Sequence, residues 1–535
     1  MYRDFILEKA PLVLTQVDRD KDSLTYGSCD RNHWHLKIRD FTSAILQQTA
    51  LAMALLYQVP FEGNLYFQNE RVRDWAVAAV KYWTQIQLSD GSFNEYYPWE
   101  HGFPPTAFSL YTSREVYKRL DLQDAAIEES IRKTAKYLST HIERDAFNQE
   151  LASITALYNA YLVLNESWIA QAVDTKLERI LALQSEEGWF EEYGGADIGY
   201  LSVSLDMLAE YYWMSKDERA YEPLRKTVHF LKYFVHPDGT IGGEYASRNT
   251  TYFLPNGLEV MAILGMPEAE AMIQKLYGDT SKLGYFLDSV DDRYLSHYLL
   301  HSMLRAQEKR MDSPHPEPCQ LPYEVEHQKV FQEAGIVSFS KRNYSGIISL
   351  RKGGIVKIYR NGQECFLDCG YRVNGKKGTV LATNWQDPSY DCSYNENDFR
   401  ISGYMNQIKL KVSTPFLHIG LRAAAFLFGN RLIKMLKGKI ILVNKHADIQ
   451  FSRNICLKDE MMQIIDEFSS PEPVTIEHAS NMSLRHVASG KFYSTSDLLS
   501  CIWPGYKHVK HVEIQLSIQW TDDLVKVDRS VSTEQ

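Results

Sequence analysis

The 535-residue chain contains no run of eighteen or more apolar residues, which excludes a membrane-crossing helix from its reading. Its longer apolar stretches, such as 46–56, are broken by Gln47, Gln48 and Thr49 and read as buried helix. Positive charge is also in short supply: 58 Lys and Arg stand against 68 Asp and Glu, for a net charge of −10. Nucleic acid needs a clustered cationic surface and is excluded as a partner. An anionic sugar is not, because a local Arg or Lys can set the sign inside a cleft. Cysteines are few and scattered. Cys29, Cys319, Cys365, Cys369, Cys392, Cys456 and Cys501 are odd in number and form no CxxC pair, so reduced thiols are expected, with no zinc site and no cofactor. Met1-Tyr-Arg-Asp-Phe-Ile-Leu-Glu-Lys9 places charges where a secretory signal needs an apolar core, and a cytoplasmic location is the expectation. No DDxxD or DxDD run occurs in the first half, and Asp291-Asp292-Arg293-Tyr294 is too short a match to support terpene-cyclase chemistry.

What the chain does have is a repeated turn. Gln87-Leu-Ser-Asp90-Gly91-Ser92-Phe93-Asn94-Glu95-Tyr96-Tyr97, Gln184-Ser-Glu-Glu187-Gly188-Trp189-Phe190-Glu191-Glu192-Tyr193 and Asp238-Gly239-Thr240-Ile241-Gly242-Gly243-Glu244-Tyr245 each pair an acidic-Gly turn with aromatic and acidic residues. The first interval is 187 − 90 = 97 residues and the second 238 − 187 = 51, close to two to one, as expected if one unit between them lacks a visible turn. That period predicts helical hairpins that bury their apolar faces only against their neighbours and gather their turns on one rim. A cleft lined with Trp, Tyr, Glu and Asn is the product, and such a lining suits sugars.

Apolar residues at three- and four-residue steps predict helices over 40–57, 72–87, 107–120, 123–140, 151–165, 169–184, 201–213, 221–234, 257–264 and 294–308. The stretch 308–325 carries a cluster of prolines and reads as a linker. Short alternating runs follow at 335–340, 346–351, 355–360, 364–368, 379–384, 407–414, 439–443, 448–456, 461–468 and 511–520, with Asn-Gly and Gly-Gly turns between several of them. The expected architecture is an N-terminal (α/α) toroid carrying the cleft over 1–307, and a C-terminal antiparallel β-sandwich over 326–535.

This combination resembles the heparinase II/III-like polysaccharide lyases, and the resemblance implies β-elimination on an acidic, uronate-containing polysaccharide or oligosaccharide. Such a reaction needs a group that neutralises the uronate carboxylate, a base for the C5 proton and an acid for the leaving oxygen, with preorganised donors as the largest contribution. The best positional match is Glu191-Glu192-Tyr193-Gly194-Gly195-Ala196-Asp197-Ile198-Gly199-Tyr200 ahead of a helix, which gives Tyr200 the role of base by resemblance. A phenol with pKa near 10 needs a neighbouring cation to act so, and Arg248 is the candidate. Asn148, with Gln149 beside it at a helix start, resembles the segment that grips the carboxylate. His101 is a candidate to assist or to act as acid, Trp99, Trp189 and Tyr97 to stack on sugar rings, and Glu192, Glu244 and Asn249 to bind substrate. Each has an ordinary alternative: Tyr200 packed against a helix, Asn148 as a helix cap, His101 as a hydrogen-bonded loop histidine.

The sequence departs from the resemblance where a histidine-rich strand would reach back to the cleft. Asp368-Cys-Gly-Tyr371-Arg372-Val-Asn-Gly-Lys-Lys-Gly-Thr379 holds no histidine, so Tyr371 or Arg372 substitutes or the lyase step is absent. Two other readings stay open. One is a glycoside hydrolase using two of Glu95, Glu192, Asp197 and Glu244, roughly 5 to 10 Å apart. The other is a glycan-binding protein without catalysis. The sequence leaves the oligomeric state open.

Overall fold

The computed structural model describes residues 1–282, 284–375, 378–409, 412–436, 445–479, 492–493, 497, 505–520 and 525–534; the strand expected at 439–443 and Cys501 lie outside them. The first half is a closed ring of helices wrapped by an outer layer of helices. Thr49–Gln58, Phe103–Arg119, Phe147–Leu164, Ile198–Ser215, Asn256–Ile263 and Leu300–Asp312 form the inner ring, each packed on the next and the last on the first. Several of them are buried nearly all round, which is why their apolar periodicity is weak in the sequence. Glu70–Gln85, Ala125–Thr140, Ser167–Leu181, Tyr221–Leu231 and Pro267–Tyr277 lie outside and bury one face each.

The repeated turns share one hydrogen-bond pattern. Leu88 N–H donates to Ser92 O at 2.9 Å, Ser185 N–H to Trp189 O at 3.0 Å and His236 N–H to Thr240 O at 2.9 Å. Gln87 donates to Thr134 on one outer helix at 2.7 Å, and Gln184 to Thr227 on another at 3.1 Å. Gly91 and Gly188 have φ of +90° and +102°, and a Cβ on either would lie 2.3 Å from a carbonyl oxygen of the outer helix, Lys133 or Lys226. Only glycine fits both demands. The unit lacking a glycine signature is present between them, its chain instead tied to Ser167–Leu181 by Lys176 Nζ on His141 O at 2.7 Å and Arg179 on Glu143 O at 3.2 Å.

Besides the short Arg31–Trp34, two longer helices of this half go beyond the sequence reading. Arg3–Thr15 was obscured by its charges and by Pro11, and Pro267–Tyr277 begins on a proline at a position where a helix tolerates one. The last inner helix runs to Asp312, past Glu308, before the proline-rich stretch.

The second half is two antiparallel sheets. The first runs His327–Phe331, Ile336–Lys341, Tyr344–Ser349, Ile355–Arg360 and Gln363–Asp368 in sequence order. The second has eight strands: Tyr371–Asn374, Thr379–Ala382, Asp391–Tyr394, Asp398–Lys409, His446–Leu457, Met461–His478, Tyr506–Trp520 and Val525–Glu534. Val337, Phe339 and Ile358 of the first share a core with Ile401, Phe451, Ile464 and Ile514 of the second. The long strand Met461–His478 pairs with His446–Leu457 early and with Tyr371–Asn374 at its end, which bends the larger sheet away from a strict sandwich. Helix Pro415–Phe428 fills a stretch between the runs expected at 407–414 and 439–443 for which no element was expected.

The smaller sheet sits on the third repeated turn. Lys352 Nζ donates to the carbonyls of Glu244 and Ala246 at 2.8 Å each and to Asn249 Oδ1, and Ser349 Oγ donates to Tyr245 O at 2.8 Å. Lys357 pairs with Glu244 and Glu364 at 3.1 Å each, and Tyr359 stacks on His236 at 4.7 Å.

Candidate functional site

Each turn leads into the N-terminus of an inner helix, so the turns meet side by side on one rim, where helix dipoles favour an anion. Tyr193 N–H donates to Asp145 O at 2.7 Å and Ser247 N–H to Ala196 O at 2.9 Å, linking three successive turns. Asp197 caps the helix Ile198–Ser215: one carboxylate oxygen accepts from Tyr200 N–H at 3.0 Å, the other from Arg248 N–H at 2.9 Å, and Thr250 donates its hydroxyl as well. This one aspartate fixes Tyr200 and Arg248 relative to each other.

Four of the residues singled out from the sequence converge. Glu192 is buried and accepts a hydrogen bond from Asn148 Nδ2 at 2.5 Å and from Arg248 at 2.7 Å. The Arg248 guanidinium lies 3.9 Å from the centre of the Tyr200 ring and 4.8 Å from that of Tyr193. Arg248 thus lies beside the phenol, pressing on the ring face, while the hydroxyl approaches Tyr294 Oη at 3.4 Å. Burial pushes the Tyr200 phenol well above its usual pKa, with Arg248 opposing, so the resting group is protonated. Burial likewise pushes the Glu192 carboxyl up to about 7, against the pull of Arg248 and Asn148. Gln149 lies next to Asn148, and its Oε1 is buried with no hydrogen-bond donor among the described residues.

The remaining candidates lie around this cluster in different settings. His101 accompanies the first turn, with Nδ1 at 2.7 Å from Asp90 and 2.9 Å from Ser92 Oγ; it makes no hydrogen bond or ion pair to the four clustered residues. Burial raises the Asp90 carboxyl, but the bonds from His101 and Ser92 outweigh it and hold it at about 2. Tyr97 is half-buried in the same turn, and Trp99 is exposed there with its ring edge-on to Phe426 at 5.3 Å. Trp189 donates to Glu187 at 3.1 Å in a turn that also receives the Glu333 and Ala334 N–H groups of the sheet. Glu244 and Asn249 are held by Lys357 and Lys352, which ties them to the sheet interface.

The structure does not bring Arg372 to the cluster. It is exposed on the strand Tyr371–Asn374 and pairs with Glu477 at 3.5 Å, because the pleat alternates the faces of adjacent residues and Tyr371 takes the inner one. Tyr371 is buried in the sheet core against Phe468. The sheet half approaches the site instead through Gln386, whose amide lies against Gly195. Among the described residues no group of three or more His, Cys, Asp or Glu is placed to hold a metal ion.

Several site residues were missed in the sequence. Tyr252 and Tyr298 share a 2.6 Å hydroxyl contact, and Tyr252 packs edge-on to Tyr200 and against the rings of Tyr294 and Tyr298. Arg293 reaches back to buried Glu95 at 2.5 Å. His297 packs on Tyr298 in a π-helical turn, Leu295–Leu299; burial holds it well below its usual pKa, and its Nε2 has no hydrogen-bond partner among the described residues. A signal for this fifth contributor existed: Asp291 follows Asp238 by 291 − 238 = 53 residues, one further repeat.

No protein-family model matches the chain, and no curated protein matches it. Among solved structures it is similar to the chondroitin AC lyase of Streptomyces coelicolor A3 in complex with chondroitin sulphate, with a TM-score of 0.56 and 10% identity over 89% of this chain and 67% of that one. A Tyr-to-Ala variant of that lyase matches with a TM-score of 0.53 at the same identity and the same shares. At such identity the likeness establishes the fold: a helical toroid followed by antiparallel sheets, as in this polysaccharide lyase.

Proposed function

We propose that this protein is a polysaccharide lyase-like enzyme, of the heparinase II/III-like kind its turns resemble, that cleaves an acidic, uronate-containing polysaccharide or oligosaccharide by β-elimination. The observation that carries the reading is the carboxyl of Glu192 held between Asn148 and Arg248 beside the ring of Tyr200. Donors that grip a carboxylate there are the donors an enolate-like uronate needs. In the proposed step Tyr200, as phenolate, takes the C5 proton, the C5–H electrons form the C4=C5 double bond as the C4–O bond breaks with its electrons on the leaving oxygen, and the proton now on Tyr200 passes to that oxygen and restores the phenolate. Arg248 lowers the cost of the phenolate, and Asn148, with Gln149 beside it, grips the substrate carboxylate. A cytoplasmic role in glycan assembly or oligosaccharide processing belongs to this reading.

The test is the ultraviolet absorbance of an unsaturated uronate on incubation with heparosan-, alginate- or hyaluronan-like chains. Wild-type protein is expected to produce it on at least one of them, and Tyr200→Phe to lower the rate by roughly a hundredfold or more, the scale of a lost acid–base group. Unchanged absorbance with Tyr200→Phe overturns the assignment of the base.

A further inference from the structure

The helix Pro415–Phe428 turns its apolar side to water. Phe416, Leu417, Ile419, Phe426, Leu427 and Phe428 are between 59% and 86% exposed. Its other side is anchored: Arg422 makes two bonds to Asp40 at 2.7 and 2.9 Å, and Ala425 is fully buried. Phe426 meets Trp99 of the first turn. A contiguous apolar face of this kind is rare on a protein surface unless something covers it.

The sequence flanking the helix carries charge of one sign. The 49 residues between Asp398 and Asp448 (448 − 398 − 1) hold nine Lys or Arg and no Asp or Glu, in a chain whose net charge is −10. At about 1.5 Å per residue, the helix is shorter than the ~30 Å hydrocarbon core of a bilayer. No helix among the described residues is long and apolar enough to cross a membrane. An apolar face flanked by cations suits a helix lying in the head-group layer.

We propose that Pro415–Phe428 is a docking surface for an anionic lipid bilayer, its exposed apolar side chains entering the head-group boundary while the basic sequence that flanks it, exposed Arg431 included, favours lipid phosphates. Charge complementarity selects this occupant over a second copy of the chain, which would bring two cationic segments together.

The experiment floats the full-length protein with phosphatidylcholine vesicles made with and without phosphatidylglycerol. Binding is expected only to the phosphatidylglycerol vesicles and to weaken with salt. It should be lost in the double variant Phe416→Ser with Leu427→Ser. It should fall roughly fivefold with Arg431→Gln, the scale of one charge near the surface. Melting temperatures within a few degrees of wild type show that these surface variants stay folded. Failure to bind phosphatidylglycerol vesicles, equal binding to phosphatidylcholine alone, or a wild-type dimer that the serine variant converts to monomer would each overturn the proposal.

Discussion

Arg248 is shared between two acids, the Glu192 carboxyl on one side and the Tyr200 phenol on the other, and burial makes that sharing matter. In a desolvated site a guanidinium over an aromatic ring contributes about 2 kcal/mol, and removing one member of a buried ion pair costs roughly 3–5 kcal/mol. The raised Glu192 pKa has a measurable consequence. Its unfolded carboxyl ionises near the ordinary 4.5, while the folded one stays protonated to about 7. Between those values the folded state binds more protons, so stability falls as pH rises, by about 3 kcal/mol across the window. Glu192→Gln cannot titrate, and denaturant unfolding at a series of pH values should show a shallower fall for the variant over that range. Parallel curves for the two proteins would contradict the assignment. At this scale the sequence offered Arg248 as a candidate neighbour of Tyr200, since each lies in the stretch after a repeated turn, and the two are in contact. It misplaced Arg372, since a strand's facing depends on register that a single exposed turn does not reveal.

At the scale of elements, the Gly turn is the unit that sets the ring. The two constraints on Gly188, a φ of +102° and a carbonyl oxygen of Lys226 where a Cβ would be, act together, whereas Gly265 has a φ of +89° with no atom near its Cβ position. Gly188→Ala is therefore expected to cost about 3 kcal/mol or more and Gly265→Ala about 1–2 kcal/mol, the latter from backbone strain alone. Thermal or denaturant unfolding of both measures the difference; equal losses would mean that the turn's contact with its outer helix contributes nothing. The turns were legible because glycine, glutamine and aromatic residues recur at fixed offsets. The unit between Gly91 and Gly188 was legible only from its spacing, since Lys176 and Arg179 replace the glycine contact with side-chain bonds to carbonyls. Helix Pro415–Phe428 was hidden because the alternation before it continues a strand pattern and its apolar residues face outward.

At the scale of the whole molecule, the two halves are joined at the site. Buried Lys352 and Lys357 reach from the smaller sheet into the third turn, next to the residue that binds Glu192, so sheet and toroid position Arg248 together. The division into helical and strand-rich halves was plain from the change of period beyond the proline-rich stretch. The contacts between the halves were not, because a lysine that clamps a distant loop carries no local pattern. The sequence sought a cleft histidine on the sheets, whereas His297 lies on the toroid beside Tyr294 and Tyr298.

Elimination and hydrolysis at this rim leave different products. The most direct measurement is the mass of the oligosaccharides released when wild-type protein digests a uronate-containing chain. Elimination predicts fragments whose masses sum to that of the starting chain, with the double bond on the new non-reducing uronate. Fragments that have gained one water per cleavage would contradict it.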